Sequence, residues 1–215
     1  MIKFVIAFDN QNTKLGQYFE DCKNDIAALL EEQSHLVKYH SQLPSNQCNE
    51  AYIDIAIPQL NPNPFIFVSY THGTHNGLIC NGNYFVSIVN SCYFANSLFY
   101  STACFVGRKL APELINNGCK TFIGFKDESK VIFENPVDRK VFIDSDNFGI
   151  KMFLTKSDAT IGQSFESMKN YYTQKIDYYE YTLKNTIMAS FLRENRDALV
   201  CLGDKNLKKE DLFVY

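Results

Sequence analysis

His72 and Cys104 are the residues of this chain whose types and settings could carry bond-making chemistry. His72 ends the apolar run Phe65–Tyr70 and is followed by Gly73, while Cys104 ends the run Ser97–Ala103. Apolar, aromatic runs of this length bounded by turn residues read as buried strands. If the two strands are parallel neighbours, imidazole and thiol meet at the C-terminal sheet edge, where open α/β sheets bind ligands. The segment from Gly73 to Asn96 is long enough for the crossover that parallel neighbours need. A free thiol with a pKa of ~8.5 is only slightly ionised at neutral pH, and a neighbouring imidazole raises that fraction. The same ring can then protonate a leaving amine. Gly73 lets the backbone approach a substrate carbonyl, so its N–H is a candidate oxyanion donor. The Cys104 N–H, expected near the start of a helix, is the second.

Other chemistries fit less well. His72, His75, Cys80, Cys92, Cys104 and Cys119 are all possible zinc ligands, yet no Cys-x-x-Cys or His-x-x-x-His pair occurs, so no metal is expected. No Gly-x-Ser-x-Gly and no glycine-rich phosphate loop occurs either, and no cofactor is expected. His75 shares a loop with His72 as a substitute base or pocket residue, without the following Gly. His35 and His40 lie among polar residues and read as surface residues. Singly, a His after a strand and a buried Cys read as structural. Their joint pattern points to a nucleophile and its base.

The elements that must position this pair alternate between strands and helices. Ile2–Phe8 reads as a first strand, Leu15–Gln33 as a helix, and Ala51–Leu60 fits either. Leu78–Cys80 and Tyr84–Val86 flank Asn81-Gly82-Asn83 as a hairpin. Gly107–Asn116 is expected to be a helix closed by Asn117-Gly118, and Lys120–Phe125 the next strand. Lys126–Asn147, polar and interrupted by Pro136, reads as a long exposed connection with a short hairpin inside it, Val131–Phe133 against Val141–Ile143. Phe148–Leu154, Gly162–Gln174 and Tyr178–Arg196 read as helices, and Ala198–Leu202 as a closing strand. The expected fold is therefore α/β, with a mostly parallel sheet covered by helices on both faces, in one domain over residues 1–215.

Composition narrows the function classes. The net charge of −3 builds no basic field, so no nucleic-acid partner is expected. Met1 leads straight into a strand-like run rather than a secretory leader, and no apolar stretch would span a membrane. With seven unpatterned cysteines, this reads as a reduced, cytoplasmic protein.

Three segments carry a family resemblance: FIFVSYTHG at 65–73, STACFVGRKLAPEL at 101–114 and GCKTFIG at 118–124. Together they resemble the caspase-like cysteine peptidases, closest to the gingipain-like and CHAT branches. Thr160-Ile161-Gly162 opening a helix is similar to those domains, and LGDKNL at 202–207 resembles their late Gly-Asp-Pro-Thr-Leu element, with Lys205 and Asn206 in place of Pro and Thr. The caspase Gln-Ala-Cys-x-Gly signature is missing, so specificity for Asp is not carried over. The resemblance implies a three-layer caspase-like sandwich and a cysteine endopeptidase that cleaves a protein substrate through His72 and Cys104. It further implies a regulated effector of prokaryotic defence or cell death, controlled by an activating or inhibitory protein partner, a cleavage or assembly. The alternative is a catalytically silent caspase-like binding or scaffold module. Asp127 and Glu128 are candidates to receive a basic P1 side chain. Thr102 stands where metacaspases carry an Asp, so that particular basic pocket is missing. If a basic P1 side chain is preferred, Lys130, Arg139 and Lys140, in the expected connection, would be the self-cleavage points.

Overall fold

The computed structural model describes residues 1–60, 62–132 and 134–214, with every side chain among them except those of residues 38–40. The first half runs β1 (Ile2–Phe8), α1 (Gly16–Glu32), β2 (Val37–Leu43), α2 (Glu50–Ala56) and β3 (Phe65–Tyr70). A small meander follows, of β4 (His72–Thr74), β5 (Gly77–Cys80) and β6 (Asn83–Ser87). The second half runs β7 (Ser97–Ser101), α3 (Leu110–Asn116), β8 (Thr121–Phe125), α4 (Pro136–Thr155), α5 (Ile161–Asp177), α6 (Thr186–Ala198) and β9 (Leu199–Gly203). The main sheet has strand order β2-β1-β3-β7-β8-β9, parallel throughout except for β9, which pairs antiparallel with β8.

Period-two alternation divides the core into two layers. Phe4, Ile6, Phe8, Ile66, Val68, Tyr70, Leu98 and Tyr100 face α1, α4, α5 and α6. Val5, Ala7, Phe65, Phe67, Phe99 and Phe122 face α2, α3 and the meander. The protein is thus a three-layer α/β sandwich. On the second face Phe67, Phe94 and Phe99 form a ring cluster with centroids 4.9–5.1 Å apart. Each fully buried aromatic stabilises the fold by roughly 1.5–3 kcal/mol. Among the described residues, no helix is long and apolar enough to cross a membrane.

Polar residues inside the first layer join α4 to α1. Tyr70 Oη donates to Asn147 Oδ1 at 2.6 Å, and Asn147 Nδ2 donates to Asp25 Oδ2 at 2.8 Å and to the Cys22 carbonyl at 3.0 Å. Lys151 closes the cluster on Asp25 at 2.7 Å. The two ends of the chain are also paired, through an Ile2–Phe213 bridge and a 2.7 Å bond from Val214 N–H to the Met1 carbonyl.

Three sequence expectations are corrected. Residues 126–147 do not form one long exposed connection, because α4 starts at Pro136. Asn135 caps it, accepting from Val137 N–H at 2.9 Å, with Pro136 in the first turn, where its missing N–H costs nothing. This places Val141–Ile143, Arg139 and Lys140 on a helix, so the expected hairpin does not form; its Phe133 lies outside the described residues. The helix after Cys104 begins at Leu110, later than expected, since residues 104–109 form turns. The helix read over Tyr178–Arg196 is divided into a π-turn at Tyr178–Thr182 and α6, which Asn185 caps by accepting from Met188 N–H at 3.1 Å.

Candidate active site

β3 and β7 are parallel neighbours in register from Phe65↔Ser97 to Ser69↔Ser101, so their C-terminal ends reach the same edge. Short bonds stitch those ends together. Ser69 Oγ donates to Ser101 Oγ at 2.7 Å, and Thr102 N–H donates to the Ser69 carbonyl at 3.1 Å. Thr102 is buried in this stitching, its hydroxyl also directed at the Ser69 carbonyl. His72, on β4, comes two residues after the end of β3, and Cys104, in the turn beyond β7, three residues after the end of that strand.

Gly73 is the joint between them. A β-carbon at Gly73 would lie 2.7 Å from the Cys104 carbonyl oxygen and 2.9 Å from the Ala103 β-carbon. Only a residue without a side chain lets β4 lie this close to the Cys104 backbone. Phe105, directly after Cys104, has φ +64°, a left-handed conformation that a bulky residue rarely adopts. Its N–H donates to the Asp127 carbonyl at 3.2 Å, and its ring meets His75 edge-on at 5.4 Å. His75 is further tied to α3 through a 3.0 Å bond from Leu110 N–H to its carbonyl.

The two reactive side chains are engaged with different neighbours. His72 is half-buried, edge-on to Phe19 at 5.4 Å, and lines a cleft with Asp9, Asn12 and Thr13 from the loop after β1. This cleft sits between β1 and β3, where the strand order reverses and α/β sheets leave a crevice. The Cys104 sulfur instead accepts from Ser129 N–H at 3.2 Å and lies 3.8 Å from the Ser129 carbonyl. Among the described residues no hydrogen bond joins imidazole and thiol. Burial pushes the Cys104 thiol up; the Ser129 N–H opposes this, while the Glu128 charge adds to it. The thiol therefore rests protonated and needs a base to become a nucleophile. The Cys104 N–H has no hydrogen-bond acceptor among the described residues, which leaves it able to receive an oxyanion, though without the helix start expected beside it.

Asp127 and Glu128 follow β8 at this edge, but each already has a cation: Arg108 pairs with Asp127 and Lys130 with Glu128. Of the remaining cysteines, Cys22, Cys48, Cys80, Cys119 and Cys201 are buried and Cys92 is exposed. His35 is exposed, and the His40 side chain lies outside the described residues. Among the described residues, no group of three or more His, Cys, Asp or Glu side chains converges as metal ligands.

Sequence reasoning passed over Ser129, whose N–H meets the thiol, and Asn195, which bonds the backbone of the next residue, Lys130. Ser129 contributes backbone alone, so its side chain gave no signal. Asn195 did leave one: it follows Met188 and Leu192 at helical spacing on the apolar stripe of α6, where a polar residue implies a buried hydrogen-bonding task. Compared with known proteins, the chain matches no family model and no curated protein.

Proposed function

We propose that the protein is a caspase-like cysteine endopeptidase with Cys104 as nucleophile and His72 as general base. The observation that carries this is the close packing of Gly73 against the Cys104 backbone, at the sheet edge that parallel β3 and β7 share. His72 takes the thiol proton as Cys104 Sγ attacks the scissile carbonyl, and the N–H of Cys104 receives the developing oxyanion, with that of Gly73 as the second candidate donor. His72 returns the proton to the leaving amine, leaving a thioester, which water hydrolyses to restore the thiol. The segments that resemble gingipain-like and CHAT peptidases support a protein substrate and a regulated effector role. The test is a proteome-derived peptide library cleaved by the wild type, Cys104→Ala and His72→Ala. Turnover should fall by more than about a hundredfold in each variant, because nucleophile and base act as a unit. Equal cleavage by Cys104→Ala and the wild type would refute the assignment.

A second reading, a silent binding or scaffold module, draws on the Cys104 sulfur being bonded to Ser129 rather than His72. An active enzyme should show His72-dependent alkylation of Cys104. A silent module should show none.

A further inference from the structure

We infer that Asn195, on α6, is a positioning residue for the candidate nucleophile: through the Lys130 backbone it aims the Ser129 N–H at the Cys104 sulfur. The inference rests on Cys104 being the nucleophile.

Asn195 is fully buried, yet both ends of its amide are used on one residue. Its Oδ1 accepts from Lys130 N–H at 2.7 Å, and its Nδ2 donates to the Lys130 carbonyl at 2.7 Å. A side-chain amide that satisfies both backbone groups of one residue fixes the two peptide groups flanking that residue, as a paired strand would. The adjacent Ser129 N–H then meets the thiol sulfur at 3.2 Å. The segment is fixed at its other end as well. Lys126 N–H donates to the Ala198 carbonyl at 2.8 Å, and Arg108 Nε donates to the Lys126 carbonyl at 2.7 Å. Residues 127–129 are thus held across Cys104 from α6 on both sides, with a backbone donor placed where a thiolate would form. An N–H on sulfur stabilises the anion more than the neutral thiol. Burial alone would hold Cys104 protonated, so this contact brings its proton within reach of a base.

The test is the pH profile of Cys104 alkylation by iodoacetamide, between about pH 6 and pH 11, read by mass spectrometry of the Cys104 peptide. Exposed Cys92 in the same molecule reports the probe's own pH dependence. Ser129→Pro deletes the N–H itself. It should move the profile up by about one pH unit, making alkylation about tenfold slower at neutral pH. Ser129→Ala should match the wild type, since the hydroxyl makes no hydrogen bond among the described residues. Asn195→Ala should move the profile in the same direction as Ser129→Pro and add nothing in the double variant, a coupling that a general loss of stability does not produce. If Asn195→Ala does not fold, uncharged and near-isosteric Asn195→Leu replaces it, removing both contacts with the Lys130 backbone; it too should shift the profile in the wild type and add nothing to Ser129→Pro. An unmoved profile in a folded Asn195 variant overturns the inference. So does alkylation that becomes faster at every pH, which would make the segment a cover over the sulfur, and so does an unmoved profile in Ser129→Pro. No substrate enters these measurements, so a failed peptidase assay and a failed positioning role remain separate results.

Discussion

Asp146 lies in the middle of α4, 1% exposed, with Tyr18 Oη donating to one carboxylate oxygen at 2.6 Å and Tyr172 donating to the other. Burial pushes its carboxyl up to about 6, with the hydrogen bonds from Tyr172 and Tyr18 opposing. The folded chain therefore keeps this proton to higher pH than the unfolded chain does. Between the unfolded value of about 3.9 and the folded value, the native state binds more protons, so stability falls as pH rises through that window. A shift of about two units corresponds to about 3 kcal/mol, lost in full by neutral pH. Tyr18, Tyr70, Tyr100, Tyr172 and Cys22 face the same cluster and are all pushed upward by burial, so they stay neutral there and add no slope. Asp146→Asn imitates the protonated acid in shape and charge. Urea unfolding at about pH 4 should give near-equal stabilities for variant and wild type, and at about pH 7.5 the variant should be more stable by about 3 kcal/mol, roughly 1 M in urea midpoint. A variant that is less stable by the same amount at both pH values would refute the reasoning. The tyrosines would then be repaying the full desolvation of the charge.

Two further outcomes follow from packing. Phe99→Ala empties the centre of the ring cluster on the second face and should cost about 3–5 kcal/mol, read as a lowered urea midpoint with an unchanged slope. Gly73→Ala sets a methyl group 2.7 Å from the Cys104 carbonyl, which should part β4 from the Cys104 turn and lower both cleavage and Cys104 alkylation by at least about tenfold; wild-type alkylation in that variant would show that the approach of the two segments is not needed.

Much of this arrangement was legible in the sequence, for reasons particular residues make plain. Both strands that deliver the pair are fully buried, and such strands announce themselves as unbroken apolar runs, as Phe65–Tyr70 does. Asn81 at φ +51° and Gly82 at φ +78° form the turn that Asn-Gly predicts between β5 and β6. Thr160 and Gln163 form the capping box that opens α5. β2 escaped notice because it is an edge strand, and polar Lys38, His40, Ser41 and Gln42 hide its short alternation. Pro136 misled in the opposite way. Read as a breaker, it is instead the first residue of a 20-residue helix whose apolar face is interrupted by buried Asp146 and Asn147. The thiol's engagement with Ser129 could not be read at all, because it depends on where one peptide group falls in space.

The pairing of the chain's two ends has a practical consequence for access. Ile2 and Phe213 bridge at the N-terminal end of β1, whereas His72 and Cys104 lie beyond the C-terminal ends of the strands. The seven residues of β1 separate the two edges by about 20 Å at the usual rise of a strand. A tag, tether or further polypeptide joined to either end therefore departs on the far side of the molecule from the candidate site. The protein can be immobilised or fused at both ends at once with the cleft facing outward. A short linker between the ends, with new termini opened in the loop after α1, would give a permuted chain in which every strand neighbour in the sheet is kept.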